Sequence, residues 1–286
     1  DLLPEPNHAV PWRRLLGHRL LPAAWRRGTI GANPRTSAEA AVIMVRTMLR
    51  VERVTKRFGG LVAVDGLSFD VNEREVLGII GPNGSGKTTM LNMMSGAFKP
   101  SEGFISLSDR QISGKAAQTI ARAGVGRTFQ LVRLLPGLTV LENVVAGAVF
   151  GHRRQWGQSA KMVALRMMER VSLNISPNAP ITELTYIDQK RVELARALCG
   201  EPNILLLDEW LAGLNPTELE AGIDLIKTLQ EEGRTIILVE HVMGAIRSLC
   251  DKCVVMASGA KIAEGSPKQV LADPEVIRAY LGDENE

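Results

Sequence analysis

Nine consecutive residues carry the clearest chemistry in the chain: Gly81-Pro82-Asn83-Gly84-Ser85-Gly86-Lys87-Thr88-Thr89. They fit the phosphate-binding pattern G-x-x-x-x-G-K-[ST]. Glycines at 81, 84 and 86 let backbone N–H groups converge on phosphate oxygens. A helix beginning near Lys87 would aim its positive dipole end at the same anion. Lys87 would reach the β- and γ-phosphates, and the Thr88 hydroxyl would sit on Mg²⁺. A second constellation lies downstream, where the apolar run Ile204-Leu205-Leu206-Leu207 ends in Asp208-Glu209. An acid pair at the carboxyl end of a strand sits where open α/β sheets bind ligands. Asp208 is the expected Mg²⁺ acid. Glu209 is the expected base that positions and deprotonates a water, worth roughly 10²–10⁴-fold in rate.

These groups need elements to hold them. Glu75 to Ile80 reads as a short buried strand entering the glycine loop, and the helical pattern resumes at Met90-Leu91-Asn92-Met93-Met94. Leu49 to Lys56 alternates apolar and polar residues as a strand does. Gly59-Gly60 is a turn. Leu61 to Val71 reads as further short strands, with Asp65-Gly66 as a hairpin signal. Phe104 to Leu107 is a strand and Ala116 to Ala123 a helix, while Val125 to Gln130 leads out to a loop. Residues 136–200 read as helical, with apolar spacing over Leu141–Val149, Ala160–Val171 and Val192–Leu198. Ile204–Leu207 and Thr235–Val239 are fully apolar, the mark of parallel strands covered on both faces. Asn215-Pro216-Thr217 opens a helix reaching about Glu232. Val254–Met256 and Lys261–Ala263 finish the sheet, and 266–282 forms two short helices. Alternating strands and helices give an α/β fold with a mostly parallel sheet.

Composition narrows the function. The 286 residues suffice for a sizeable core, and no apolar run approaches the ~20 residues of a spanning helix. Seven arginines against three acids give residues 1–47 a charge of +4, which leaves −1 of the +3 total for 48–286. The near-neutral body argues against nonspecific nucleic-acid binding. The Arg- and Pro-rich residues 1–47 read as a poorly ordered extension without a catalytic role, and Met44 or Met48 as the start of the compact domain. Cys250-Asp251-Lys252-Cys253 is a C-x-x-C, but neither a second pair nor the four histidines (8, 18, 152, 241) complete a zinc pattern. Cys253 reads as a small core residue.

From about residue 49 to 282 the chain resembles the nucleotide-binding subunit of an ATP-binding-cassette (ABC) transporter. The resemblance implies an α/β P-loop ABC ATPase with a mostly parallel core sheet, an antiparallel β-subdomain and a helical subdomain. The cassette would span 48–286, with the helical insert at about 136–200. It implies that Phe58 stacks on adenine, and that Gln130, after Gly126-Arg127-Thr128-Phe129, is the glutamine-loop residue contacting Mg²⁺ or water. Ala212-Gly213-Leu214-Asn215 matches the D-loop at a dimer interface. Glu240-His241 matches the switch histidine at the γ-phosphate. The implied cofactors are ATP and Mg²⁺. The implied partners are a second ATP-binding subunit, transmembrane permease subunits and, indirectly, an extracytoplasmic solute-binding protein, at the cytoplasmic face of the inner membrane. No nucleic acid is implied.

The departures are local. Where the family has Leu-Ser-Gly-Gly-Gln, this chain has Leu184-Thr185-Tyr186-Ile187-Asp188. Thr185 keeps the hydroxyl that would grip the other subunit's nucleotide. Ile187 adds bulk where backbone must approach phosphate, and Asp188 adds a charge that repels it. Trp210 stands in place of a proline and Asn215 in place of an aspartate. Tyr186 and Asn215 are similar to variants in the branch that imports branched-chain amino acids. So are the opening Val54–Gly60 and the ending Gly265-Ser266-Pro267 … Asp273 to Gly282. The leading expectation is an ATPase powering such an importer. A weakly active regulatory cassette in a heterodimer and a cassette of a lipid or lipopolysaccharide exporter are the rivals. A soluble cassette acting on ribosomes or DNA lacks support: there is one phosphate loop, no heptad array and no basic body.

Overall fold

A computed structural model of the chain describes residues 46–281. The expectations for residues 1–45, including the poorly ordered extension and a start at Met44, lie outside that range. The chain opens with strands β1 (Thr47–Phe58) and β2 (Leu61–Asn72), then β3 (Val76–Ile80) and helix α1 (Lys87–Met94). Next come β4 (Glu102–Leu107), β5 (Arg110–Gln111), α2 (Ala117–Ala123) and β6 (Val125–Arg127). Three helices follow: α3 (Val140–Phe150), α4 (Gly157–Arg170) and α5 (Tyr186–Cys199). The chain continues with β7 (Ile204–Asp208), α6 (Pro216–Glu231), β8 (Thr235–Val239) and α7 (Met243–Leu249). It closes with β9 (Lys252–Ala257), β10 (Ala260–Gly265), α8 (Pro267–Val270) and α9 (Pro274–Leu281).

Two sheets result. One is antiparallel, in the order β2-β1-β4-β5; the other runs β10-β9-β3-β8-β7-β6. In the second sheet β9, β3, β8, β7 and β6 are mutually parallel, and β10 is antiparallel at the edge. The apolar runs explain why the parallel sheet is central. Every residue of β3, β7 and β8 is buried. Side chains alternate between faces along a strand, and the two cores divide accordingly. Val76, Ile80, Leu205, Leu207, Ile236 and Leu238 pack on one side with the helices α3 to α6. Leu77, Ile79, Ile204, Leu206, Ile237 and Val239 pack on the other with α1 and the antiparallel sheet. A strand apolar on both faces has no wet side, so it must sit between two layers.

One expectation is corrected and others are refined. Asp65-Gly66 does not turn a hairpin: Leu61–Asn72 is one continuous strand paired along β1, and the turn is at Gly59-Gly60. Gly66, at φ +56°, kinks that strand; its N–H donates to Thr55 Oγ1 at 2.9 Å, and the Asp65 N–H donates to the Gly259 carbonyl. Side-chain and cross-sheet partners replace the ladder bonds that a turn would have interrupted. The stretch leading out to the loop begins as an edge strand, Val125–Arg127, parallel to β7. The alternation read over Leu49 to Lys56 also shifts between Val51 and Val54, where Arg53 bulges at φ +43°. Gly103 faces that bulge, and any Cβ there would lie 2.2 Å from the Arg53 carbonyl.

Candidate functional site

Strand order assembles the site. With β9-β3-β8-β7-β6 parallel and adjacent, the carboxyl ends of β3, β8, β7 and β6 lie along one edge. They deliver Gly81, Glu240-His241, Asp208-Glu209 and Thr128 to Gln130 side by side, as ligand sites of open α/β sheets require.

The phosphate loop is tight for a physical reason. Gly81, Gly84 and Gly86 all have positive φ. A Cβ on Gly81 would lie 2.0 Å from the Met256 carbonyl, and one on Gly86 would lie 2.4 Å from the Ala63 carbonyl. Only glycine lets the loop pass between these backbones. Gly86 then caps α1, which buries Met90, Leu91, Met93 and Met94. Lys87 is 5% exposed and donates to the Gly81 and Pro82 carbonyls, both at 2.8 Å. An ammonium has three donors, so one is left for a phosphate oxygen. Burial pushes the Lys87 pKa down, and Glu209 and Asp208 partly restore it.

A 660 Å³ cleft runs along the loop, lined by Asn83 to Thr89, Phe58, Gln130 and Glu209. The sequence reading missed its other lining, Leu61 to Ala63 and Ser258-Gly259. Those residues carry no motif; the contact Gly259 N–H to Ser85 carbonyl brings them in. Phe58 stands half-exposed at the mouth, edge-on to Phe98, with the Lys56 ammonium 4.9 Å from its ring centre.

The acids sit in different environments. Asp208 is buried, and its Oδ2 accepts from Arg127 at 2.8 Å. Its Oδ1 is buried without a partner. Burial pushes the Asp208 pKa up, and Arg127 opposes that shift. Glu209 sits at φ +49°, unusual for a non-glycine residue and costing about 1–3 kcal/mol. Its carboxylate is fixed from two sides: Gln130 Nε2 donates to Oε2 at 2.6 Å, and His241 Nε2 lies 2.7 Å from Oε1. The expected glutamine, histidine and glutamate therefore meet in one hydrogen-bonded cluster. Thr185 does not join them. It caps α5, accepting from the Asp188 N–H at 3.3 Å and donating to the Asp188 carboxylate, and it does not line the cleft.

Known proteins share this sequence pattern and fold. A model of the ABC transporter family matches residues 64–212. The chain belongs to the ABC transporter family. A second model, described as the branched-chain amino acid ATP-binding cassette transporter, matches residues 260–286. The chain is 40% identical over 255 residues to the "High-affinity branched-chain amino acid transport ATP-binding protein LivG" of Salmonella typhimurium, covering 84% of this chain and 100% of that protein. It is 40% identical over 257 residues to the corresponding protein BraF of Pseudomonas aeruginosa, with the same coverage. The crystal structure of the ADP conformation of the ABC cassette MJ1267 superposes with a TM-score of 0.75 at 32% identity, over 83% of this chain and 99% of that one.

An ABC cassette of this kind needs supports that no motif announces, and three are visible. Arg127 bridges Asp208 to Asn92 and Ser95, joining β6 to the end of α1. Lys190 and Glu240 are buried beside the turn that follows β7. Burial pushes the Glu240 pKa up to about 7. Neither is signalled by its neighbours in the sequence: Lys190 sits between Gln189 and Arg191, and Glu240 between Val239 and His241.

Proposed function

We propose that this chain is the ATP-hydrolysing subunit of an importer of branched-chain amino acids or closely related solutes. Membership of the family and the relatives' transport of branched-chain amino acids support the substrate class. The observation that carries the hydrolytic role is the Glu209 carboxylate held between Gln130 and His241 in the cleft of the phosphate loop. Phe58 offers a face for adenine, worth ~1–3 kcal/mol. Backbone N–H groups of 81–89 and the Lys87 ammonium hold the phosphates. Glu209 orients a water and takes its proton as the oxygen attacks the γ-phosphorus and ADP leaves. Gln130 and His241 keep that carboxylate aimed.

The residues fit Mg²⁺. Asp208, next to the cleft-lining Glu209, keeps a buried Oδ1 without a hydrogen-bond partner, and Thr88 lies in the cleft. Mg²⁺ prefers one or two carboxylates with waters and phosphate oxygens to an all-protein cage. Asp208, Thr88 and Gln130 would hold it there. When bound it neutralises charge on the β- and γ-phosphates.

Thr185 would serve the nucleotide of a second ATP-binding subunit rather than its own. A cassette homologue 29% identical to this chain is described as a dimer in a post-hydrolysis state with ADP and phosphate. Permease subunits at the cytoplasmic membrane face would receive the resulting motion, fed by an extracytoplasmic solute-binding protein. Among the described residues no helix is long and apolar enough to cross a membrane.

The deciding experiment is Glu209→Gln. Mg-ATP affinity should stay within about twofold while turnover falls roughly 10²–10⁴-fold. Near-normal turnover would remove Glu209 as the base.

A further inference from the structure

The turn that carries Glu209 is gripped from outside the cleft. Lys190, one turn into α5 and 2% exposed, donates to three carbonyls of the turn: Glu209 O at 3.2 Å, Trp210 O at 2.8 Å and Ala212 O at 2.9 Å. These account for every donor of an ammonium. The bond is returned. Trp210, equally buried, donates its indole Nε1–H to the Lys190 carbonyl at 3.3 Å. Glu240 completes the enclosure by accepting from the Leu211 N–H at 2.6 Å. The turn thus has no free backbone carbonyl at 209, 210 or 212, and its first residue is the one with the positive φ.

We propose that Lys190 and Trp210 are positioning residues for hydrolysis. They form a reciprocal latch through which the first turns of α5 set the backbone at 209–212 and hence the placement of the Glu209 carboxylate. The proposal rests on the reading of Glu209 as the base. Its physical content is directional. α5 is capped by Thr185, which does not line the cleft, and packs against α3 and α4. A shift of its first turn moves the Lys190 ammonium, which moves three carbonyls together. The Glu209 side chain, fixed at its far end by Gln130 and His241, must then reorient or lose those partners. Neither latch residue touches nucleotide, so the effect belongs in turnover and not in binding.

The test uses the full chain reconstituted with its permease subunits, reading kcat, KM for Mg-ATP and thermal midpoint. Trp210→Phe keeps a buried aromatic ring, smaller than the indole, and removes the N–H donor; Lys190→Met keeps the apolar stem and removes the ammonium. Expected are a ~3–10-fold lower kcat for Trp210→Phe and a ~10–100-fold lower kcat for Lys190→Met, each with KM within about twofold. The double variant should be no slower than Lys190→Met alone, because residues acting as one unit are not additive. Lys190→Arg, which restores a cation with several donors, should recover most of the loss. Multiplying losses, unchanged kcat, or a kcat that falls only in step with the folded fraction would each overturn the latch. Should Lys190→Met fail to fold, Trp210→Phe decides alone by the same kcat criterion. Glu209→Gln run alongside separates the two readings. If it hydrolyses normally, the base assignment fails. If it is dead while Trp210→Phe and Lys190→Met turn over like wild type, the base stands and the latch falls.

Discussion

The phosphate loop and the start of α5 are built in opposite ways. The loop is enclosed. Its glycines thread between backbones, Ser85 and Lys87 are buried, and its neighbours Gln130, Glu209 and His241 hold one another. The start of α5 is open. Tyr186 is 49% exposed, and the Thr185 hydroxyl is committed to Asp188 in its own first turn. One region is a cleft whose own side chains already hold one another in place. The other is a surface whose polar groups are satisfied locally and which has nothing of its own chain to act on. The difference teaches that one region is closed within the chain while the other faces outward, which is the arrangement the proposed pairing with a second subunit would need.

The sharpest way to break that comparison is to remove the cation of the enclosed half. Lys87→Ala deletes the one free donor aimed along the loop and leaves the Gly81 and Pro82 carbonyls unpaired. A hydrogen bond to a charged partner is worth about 1.5–3 kcal/mol, so ATP affinity of the isolated chain should fall roughly 10–150-fold. Calorimetric titration with Mg-ATP measures it. Wild-type affinity in this variant would mean the loop does not hold phosphate.

Much of the enclosed half was legible because each of its parts has a local rule. The glycine spacing, the apolar strands on either side, and acids or histidine directly after apolar runs all follow from chemistry within a few residues. Even the capping of α6 by Asn215 could be read, since its side chain accepts from the Glu218 N–H three positions on. What escaped depended on distant partners. β6 is three residues long and is recognisable only once it lies beside β7. The Asp65-Gly66 kink mimics a turn because its N–H groups bond to Thr55 and Gly259, which no local pattern links. Lys190 looks like one of many helix-surface lysines, yet it is among the most buried residues of the molecule.

Glu240 lies between the two regions and sharpens the contrast through pH. Its carboxyl is fully buried. It faces Lys190 and Glu209, and the Leu211 N–H and the following peptide at His241 oppose burial. Burial still wins and lifts its pKa from the ordinary carboxylate value to about 7. Below about pH 4.5 the group is protonated in both folded and unfolded chains. As pH rises towards 7 the unfolded chain releases the proton first, so the stability this group contributes is lost across that window and the loss levels off above it. Relative to Glu240→Gln, the wild type should therefore lose on the order of 1–3 kcal/mol between pH 4.5 and 7. Urea denaturation of both chains across that range, compared pair by pair, cancels the other carboxylates. Parallel curves for the two would place the Glu240 pKa near its unfolded value.

The smallest effect isolates the open half. Thr185→Ala removes the α5 cap, and loss of such a cap costs about 1 kcal/mol, or roughly 2–4 °C in thermal midpoint for a domain of this size. Because Thr185 does not line the cleft, ATP affinity of the isolated chain should stay within about twofold of wild type, unlike in Lys87→Ala. If Thr185 serves a second subunit's nucleotide as proposed, turnover of the paired, reconstituted protein should fall by more than the lost stability explains. Thr185→Ser separates these roles: it keeps both cap and hydroxyl, so it should restore midpoint and turnover together. If Thr185→Ala instead weakened ATP binding in the isolated chain as strongly as Lys87→Ala does, the two regions would be one site within a single chain. The division between enclosed and open halves would then be false.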